Sequence, residues 1–501
     1  MSLFLALPVF AFIAALLLTP VTSLVARRYG WVDHPGLRKI HHEPVAYLGG
    51  AAVMGGFLLT LAAAPWLPGL DRLEITVDRQ LLAILLGGLI MFAVGLRDDI
   101  QGLGALTKLA AQLAAAGLVL LSGVSIDGIW LTESTRLDFG VFGMALTVVW
   151  IVGATNAVNI IDGLDSLSSG LSVLACAAIS WVAFQQGQVA AGLMAVALMG
   201  AIGGFMPHNL HPARVFLGDA GSLSIGFLLS ATAALVASRA TSLTGFSVPL
   251  VALGIPIMDT SFAMSRRFIE GRSMMSADRN HIHHRLIKIG HGQRRAVATI
   301  CGTSLLAISV VVLSPLLGPE LELASLAVSL LILGVLFSKA GAIRIKESLE
   351  AFRQVASSAR SVNDEKQALD ELALAFKETK SLEEWWGVVT AAADVLGFAE
   401  LAMEGERRDG SPFALLWERE GEDIESAPQG FVTRIQIPVN DRREGSCLVL
   451  KAAVSHDSET ATLGRRLALF HPFLSFNGLE RLPEPEGPAR PAGPAPSLAS
   501  R

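Results

Sequence analysis

The chain has 501 residues, 52% hydrophobic and only 17% charged, with a mean hydropathy of +0.53; this excludes an ordinary soluble domain and defines an integral membrane protein. The net charge of -5 says little about partners because charge is unevenly placed, and no nucleic-acid partner is expected. Cys176, Cys301 and Cys447 have neither the spacing of a disulfide framework nor that of a zinc motif.

Met1 to Thr22 is apolar, with no basic residue ahead of the run, no small-residue cleavage site, and Arg27 and Arg28 after it. It reads as an uncleaved first span with its N-terminus outside. Apolar runs predict spans near 3–24, 46–64, 80–97, 105–122, 141–158, 169–186, 188–206, 221–238, 246–264, 296–315 and 321–338, about eleven in all. The expected fold class is therefore an all-α polytopic membrane protein, followed by a small α+β cytoplasmic C-terminal domain.

The predicted spans sort the loops into two sets. One holds 25–45, 97–105, 159–168, 207–220 and 265–295, and Lys and Arg crowd it. The other holds only Arg72, Arg79, Arg136 and Arg239. The bias predicts that the first set is cytoplasmic, and every unusual polar cluster falls in it.

The first of these loops carries Arg38-Lys39-Ile-His41 between Pro35 and Pro44, with Gly49-Gly50 at the next span entrance. Orientation alone accounts for Arg27 and Arg28; Lys39 and His41 suit an anionic headgroup. The next loop is Gly95-Leu-Arg97-Asp98-Asp99. Adjacent carboxylates repel and need a cation, a proton or solvent; Arg97 in a solvated tip is the plain alternative. Lys108, about one turn into the following span, either snorkels to the interface or points its charge at a phosphate.

The central stretch is Asn156-Ala-Val-Asn159-Ile-Ile-Asp162-Gly163-Leu-Asp165. Polar residues recur every third position after an apolar run, which puts them on one slanted helical stripe. Gly163 predicts an end or bend. Two carboxylates and two carboxamides at a membrane helix end are costly without water, a cation or a polar ligand.

Phe216-Leu-Gly-Asp219-Ala-Gly-Ser222 then opens a span, so its free N–H groups and positive dipole end suit an anion, with capping by Asp219 or Ser222 as the simpler reading. The last loop holds His281-Ile-His283-His284 among arginines. Without a nearby thiolate, zinc is disfavoured, and the arginines point to phosphate oxygens. Together the clusters predict hard-oxygen binding of Mg²⁺ or Mn²⁺ and metal-assisted phosphoryl transfer at the surface of the lipid bilayer.

In this order the five motifs resemble the polyprenyl-phosphate N-acetylhexosamine-1-phosphate transferases over about the first 340 residues. The resemblance implies a reaction. Undecaprenyl phosphate attacks the β-phosphate of a UDP-N-acetylhexosamine, UMP leaves, and the lipid-diphosphate sugar starts a surface glycan such as O-antigen or capsule. It implies Asp219 as Mg²⁺ ligand, assisted by Asn159, and Asp98 as base or lipid-phosphate partner beside Asp99. Asp162 and Asp165 would shape the nucleotide site, with Asn156 on the same stripe. Lys108, His281, His283 and His284 would meet phosphates, and Lys39 and His41 would lie towards the lipid phosphate. It also implies a bacterial inner-membrane location with the site and C-terminus cytoplasmic; a homodimer is compatible with the sequence. The family's Asp-Gly-Leu is here Asp165-Ser166-Leu167. The histidine motif resembles the N-acetylglucosamine type and not the muramoyl-pentapeptide type.

The expected domains are 1–340 as the transferase, 341–395 as a helical linker, 396–480 as the small α+β domain and 481–501 as a disordered Pro-rich tail. Strands are expected at 399–403, 413–417, 431–439 and 446–453, and a helix at 458–475. Their order resembles a GAF-type sensory domain, while a domain for assembly or partner contact is the preferred reading. A membrane sensor would not need five polar clusters, and a transporter would place ionisable groups near the bilayer midplane.

Overall fold

The structure is a computed structural model that describes residues 2–33, 44–66, 78–132, 134–269, 271, 280–341, 366–379, 381–406, 412–419, 433–439, 448–454, 468–470 and 472–473. Lys39, His41 and the tail 481–501 lie outside the described residues, as does most of the helix expected at 458–475. Contacts divide the chain into Met1–Leu349 and Glu350–Arg501.

The first unit is helical: α1 (Ser2–Tyr29), α2 (Gly49–Ala63), α3 (Arg79–Gln101), α4 (Ala105–Leu121), α5 (Phe142–Ile161), α6 (Leu167–Gln185), α7 (Val189–Asn209), α8 (Gly218–Ser238), α9 (Thr244–Ala252), α10 (Gly254–Ile269), α11 (Ile282–Lys288), α12 (Gln293–Leu313) and α13 (Glu322–Lys339). Among the described residues nine helices are long and apolar enough to cross a membrane, or ten if the bent pair α9–α10 is one crossing. The sequence predicts about eleven. The difference is α4, whose 17 residues rise roughly 26 Å against roughly 30 Å of hydrocarbon.

A second departure is the span expected at 246–264, which is α9 and α10 bent by 64°. Pro249 lies inside α9, and Gly254 and Pro256 open α10. Each proline removes a backbone donor and clashes with the preceding turn, so the ladder breaks at Leu253. The predicted turn at 186–188 is present, with Gly187 at a φ of +71°.

Helix α8 is the axis of the unit. Its apolar window is entirely buried, and it packs against α3, α5, α2 and α6. Small residues permit that approach, as in membrane helix pairs generally. A Cβ on Gly50 would come within 2.1 Å of the Gly221 nitrogen, and one on Gly95 within 2.3 Å of the Asp219 carbonyl oxygen. Gly50 N–H also donates to the Leu217 carbonyl at 2.8 Å. The Gly49-Gly50 pair, read from sequence as part of a headgroup loop, is thus a seat for the start of α8.

In the second unit, β1 (Phe398–Glu406), β2 (Pro412–Glu418), β3 (Thr433–Val439) and β4 (Leu448–Val454) form an antiparallel sheet in the order β2-β1-β4-β3. The helix Leu382–Val395, capped by Ser381, packs on β1. Trp385, Val389, Phe398, Leu401 and Phe470 are buried in its core.

Candidate active site

One cavity of about 1250 Å³ is lined from all five predicted motif loops, including Arg27 and Val45, Asp98, Asp162, Asp219 and His284. The alternation of loops along the sequence therefore does bring residues of all five loops to one place, with Lys39 and His41 outside the described residues.

Helix α3 delivers the carboxylate pair. It ends at Gln101, where Gly102 takes a φ of +71° and donates to the Asp98 carbonyl at 2.8 Å. The two side chains then part. Asp98 accepts from Lys108 Nζ at 3.0 Å, and the same ammonium lies 3.0 Å from Asp219 Oδ2. Lys108 turns inward and bridges two carboxylates that are 121 residues apart in sequence. Arg97 is not the partner these distances define.

Asp99 faces α8. Its Oδ1 accepts from Asp219 N–H at 2.8 Å and its Oδ2 from Ala220 N–H at 2.9 Å. The expectation that the start of α8 offers free N–H groups to an external anion is corrected here, because the chain's own carboxylate takes that position. Gly218, at a φ of +73°, lets the backbone turn into the helix, and a Cβ there would meet Asp99 Oδ2 at 2.6 Å. Asp219 is thereby fixed by its own backbone, while its side chain faces Lys108 and Asn159.

The expected stripe of four is split. Helix α5 ends at Ile161 and Asp162 is its C-cap residue, so only Asn156 and Asn159 lie on the helix. Asn159 Nδ2 donates to Asp219 Oδ1 at 3.1 Å and to Ser222 Oγ at 2.8 Å. Asn156 instead exchanges two hydrogen bonds with Gln112, at 2.8 and 3.1 Å, and is not part of the cavity wall. A membrane helix pair with a polar side chain on each member is satisfied this way.

Asp162 and Asp165 follow in the turn. Partial withdrawal from water, and then the carboxylates of Asp219, Asp99 and Asp165, push the Asp162 carboxyl up to about 8. Asp165 Oδ2 accepts from His211 Nδ1 at 2.7 Å and from Ala213 N–H at 3.1 Å. Ser166 closes the turn in the left-handed region, at a φ of +64°. Its N–H donates to Asn209 Oδ1 at 2.9 Å and its hydroxyl to the Asn209 carbonyl at 2.8 Å.

The histidines separate too. His284 lines the cavity. His283 is buried, and a Cβ on Gly163 would come within 2.5 Å of its Nε2, so the ring lies directly on the central turn. Burial, with the adjacent His284 and His281 rings, holds His283 down to about 3. His281 is buried as well, and its Nδ1 donates to Asp259 Oδ2 at 2.9 Å.

Sequence reasoning gave no role to Gln112, Asp259 or Asn209, although Asn209 stands between His208 and His211. It assigned Arg27 to orientation, yet Arg27 lines the cavity together with Asp33, Tyr47 and Arg214. Burial, then a hydrogen bond from its hydroxyl to Asp33 and the charges of Asp99 and Asp219, raises the Tyr47 hydroxyl above its ordinary value.

The donors facing the cavity are hard oxygens on Asp98, Asn159, Asp162 and Asp219. These residues line the cavity, and their donor type suits Mg²⁺, which is bound through one or two carboxylates with the remaining positions filled by water and substrate phosphate.

Fold and site together define a polytopic membrane enzyme whose polar site lies at the ends of its helices. The chain belongs to glycosyl transferase family 4, whose signature matches residues 81–237, and it is a membrane-embedded transferase. The probable undecaprenyl-phosphate N-acetylglucosaminyl 1-phosphate transferase of Bacillus subtilis is 34% identical over 299 residues, 58% of this chain and 80% of that protein. The decaprenyl-phosphate N-acetylglucosaminephosphotransferase of Mycolicibacterium smegmatis is 33% identical over 300 residues, 55% of this chain and 73% of that protein. An undecaprenyl-phosphate alpha-N-acetylglucosaminyl 1-phosphate transferase of Escherichia coli O157:H7 is 29% identical over 297 residues, 58% of this chain and 78% of that protein. These relatives are of the kind that the five motifs resemble.

Proposed function

We propose that the chain transfers N-acetylglucosamine 1-phosphate from UDP-N-acetylglucosamine to undecaprenyl phosphate, and that this reaction initiates a surface glycan. The names of the relatives support the acceptor and the transferred group. The observation that carries the reading is the meeting of Asp98, Asn159 and Asp219, from three helices, at one cavity, with Lys108 of a fourth helix bridging the Asp98 and Asp219 carboxylates. The Lys and Arg bias of the motif loops supports a cytoplasmic site.

In this reading an oxygen of the lipid phosphate forms a bond to the β-phosphorus. The bond from that phosphorus to the bridging oxygen breaks, and UMP leaves with that oxygen. A phosphate monoester has a second pKa of about 6, so the nucleophile is mostly dianionic at neutral pH and Asp98 is not required as a base. Asp98 and Asp219 hold the Lys108 ammonium where phosphate oxygens gather. Asp99 fixes Asp219 through the α8 backbone, and Asn159 orients its carboxylate. Asp162 and Asp165 shape the nucleotide end, and His284, Arg27 and Arg214 add donors for phosphate oxygens. Asp219, with Asn159, would hold Mg²⁺ or Mn²⁺, which when bound neutralises diphosphate charge. Positioning and charge neutralisation supply most of the rate in phosphoryl transfer.

The test is UMP release by purified protein given undecaprenyl phosphate, Mg²⁺ and a panel of UDP-sugars. The reading expects release that needs lipid and metal together and is fastest with UDP-N-acetylglucosamine. Folded protein that releases no UMP with any sugar would refute it.

A further inference from the structure

His284 faces the cavity and His283 presses on the central turn, so the histidine segment must be held from behind. The group that does this is Asp259, on the first two turns of α10 just after the 64° bend. It is 2% exposed and His281 is 7% exposed. One carboxylate makes two bonds there: Oδ2 accepts from His281 Nδ1 at 2.9 Å, and Oδ1 accepts from Ile282 N–H at 2.8 Å. It therefore fixes both the ring of His281 and the backbone where α11 begins.

The contact continues from ring to ring. His281 stacks on His283 with centroids 5.9 Å apart and planes 6° from parallel. His283 meets His284 at 4.3 Å, and its own ring covers Gly163. A buried carboxylate in a membrane segment is costly, and such residues are kept where they are paired and used. An acceptor-only carboxylate also dictates that Nδ1 of His281 carries the proton, which fixes the ring's orientation.

We propose that Asp259 is a positioning residue of the sugar-nucleotide site, acting through His281 to set the histidine segment against the Asp162–Asp165 turn. This rests on the transferase reading above. Asp259 is not among the residues that line the cavity; because it acts through the Asp162–Asp165 turn, the nucleotide end in that reading, its effect falls on the donor and not on the lipid acceptor.

The test is a double-mutant cycle on the full-length protein in detergent, with UMP release measured against UDP-N-acetylglucosamine and undecaprenyl phosphate in turn. Asp259→Asn keeps an acceptor for Ile282 N–H but presents an amide to the imidazole, and so serves where Asp259→Ala does not fold. The Asn variant is expected to lose about ten- to hundredfold in kcat/KM for the UDP-sugar, the size of coupling between groups in contact. KM for undecaprenyl phosphate and Tm stay near wild type. In a His281→Ala background the same substitution costs nothing further. Losses that multiply in the double variant, or a Tm drop with both KM values rising together, would overturn the proposal while wild-type activity keeps the transferase reading intact. Wild-type protein that releases no UMP would remove the transferase reading itself and this proposal with it.

Discussion

The two ends of α3 carry the same residue type in different settings. At one end Asp78 caps the helix, accepting from Gln80 N–H at 3.1 Å and Leu81 N–H at 2.9 Å, and pairs with the exposed Arg239 at 2.9 Å. Its capping bonds are local and its charge is matched by Arg239. At the other end Asp99 also caps a helix, but that of α8, 120 residues away, and Asp98 and Asp219 share Lys108 with Asp162 on the same cavity. There two carboxylates face one ammonium, and the Asp162 carboxyl beside them is pushed up to about 8. A cap that satisfies itself belongs to the fold; in the proposed function the other end, where carboxylates gather in a cavity, would receive a cation and a phosphate.

That contrast can be broken by substitution. The largest effect is expected at the cavity end, where Asp219→Ala or Lys108→Met lowers UMP release by about 10²- to 10³-fold or more, the loss typical of a group that stabilises developing charge, while Tm changes little. Asp99→Asn should come next. It leaves one acceptor for the α8 N–H groups and removes their counter-charge, so activity falls about tenfold and stability by about 1 kcal/mol, read by UMP release and Tm on the same sample.

A pH effect sharpens the comparison at the histidine segment. The unfolded chain protonates a histidine near 6.5, whereas His283 in the fold stays neutral until about 3. Between those values the unfolded state binds more protons, so stability falls as pH is lowered through that window. His283→Gln should flatten that part of the Tm profile; an unchanged slope would show that the ring is not held as the structure has it. The smallest effect is expected at the far end of α3. Asp78→Ala should cost about 1 kcal/mol, as a lost cap does, with UMP release unchanged.

Much of the site was legible in the sequence because membrane spans impose alternation. Once the spans are placed, Asp98-Asp99, Asn159, Asp162, Asp219 and the histidines all fall in loops of one set, and in the structure all of these but His281 and His283 line one cavity. The hydropathy pattern hid the break at Leu253, since an apolar run reads alike whether straight or bent. Asp259 and Gln112 were hidden because a lone polar residue in an apolar run carries no spacing signal. The start of α8 was legible as an anion site but not as one that Asp99 fills, because only the fold brings residue 99 to residue 219. Ser166 shows the reverse case. Its departure from the family's Asp-Gly-Leu stood out in sequence, and the structure gives the reason it is tolerated: two bonds to Asn209 hold a side-chain-bearing residue at a φ of +64°, where glycine is otherwise favoured.

The central claim is that a phosphosugar, and not a sugar alone, crosses this cavity. The most direct measurement uses UDP-N-acetylglucosamine labelled at its β-phosphorus, with undecaprenyl phosphate and Mg²⁺, and follows the label. The account predicts that the label moves to the lipid fraction as UMP appears, and that neither happens in Asp219→Ala. Label that stays in the nucleotide, released as UDP while sugar reaches the lipid, would contradict it.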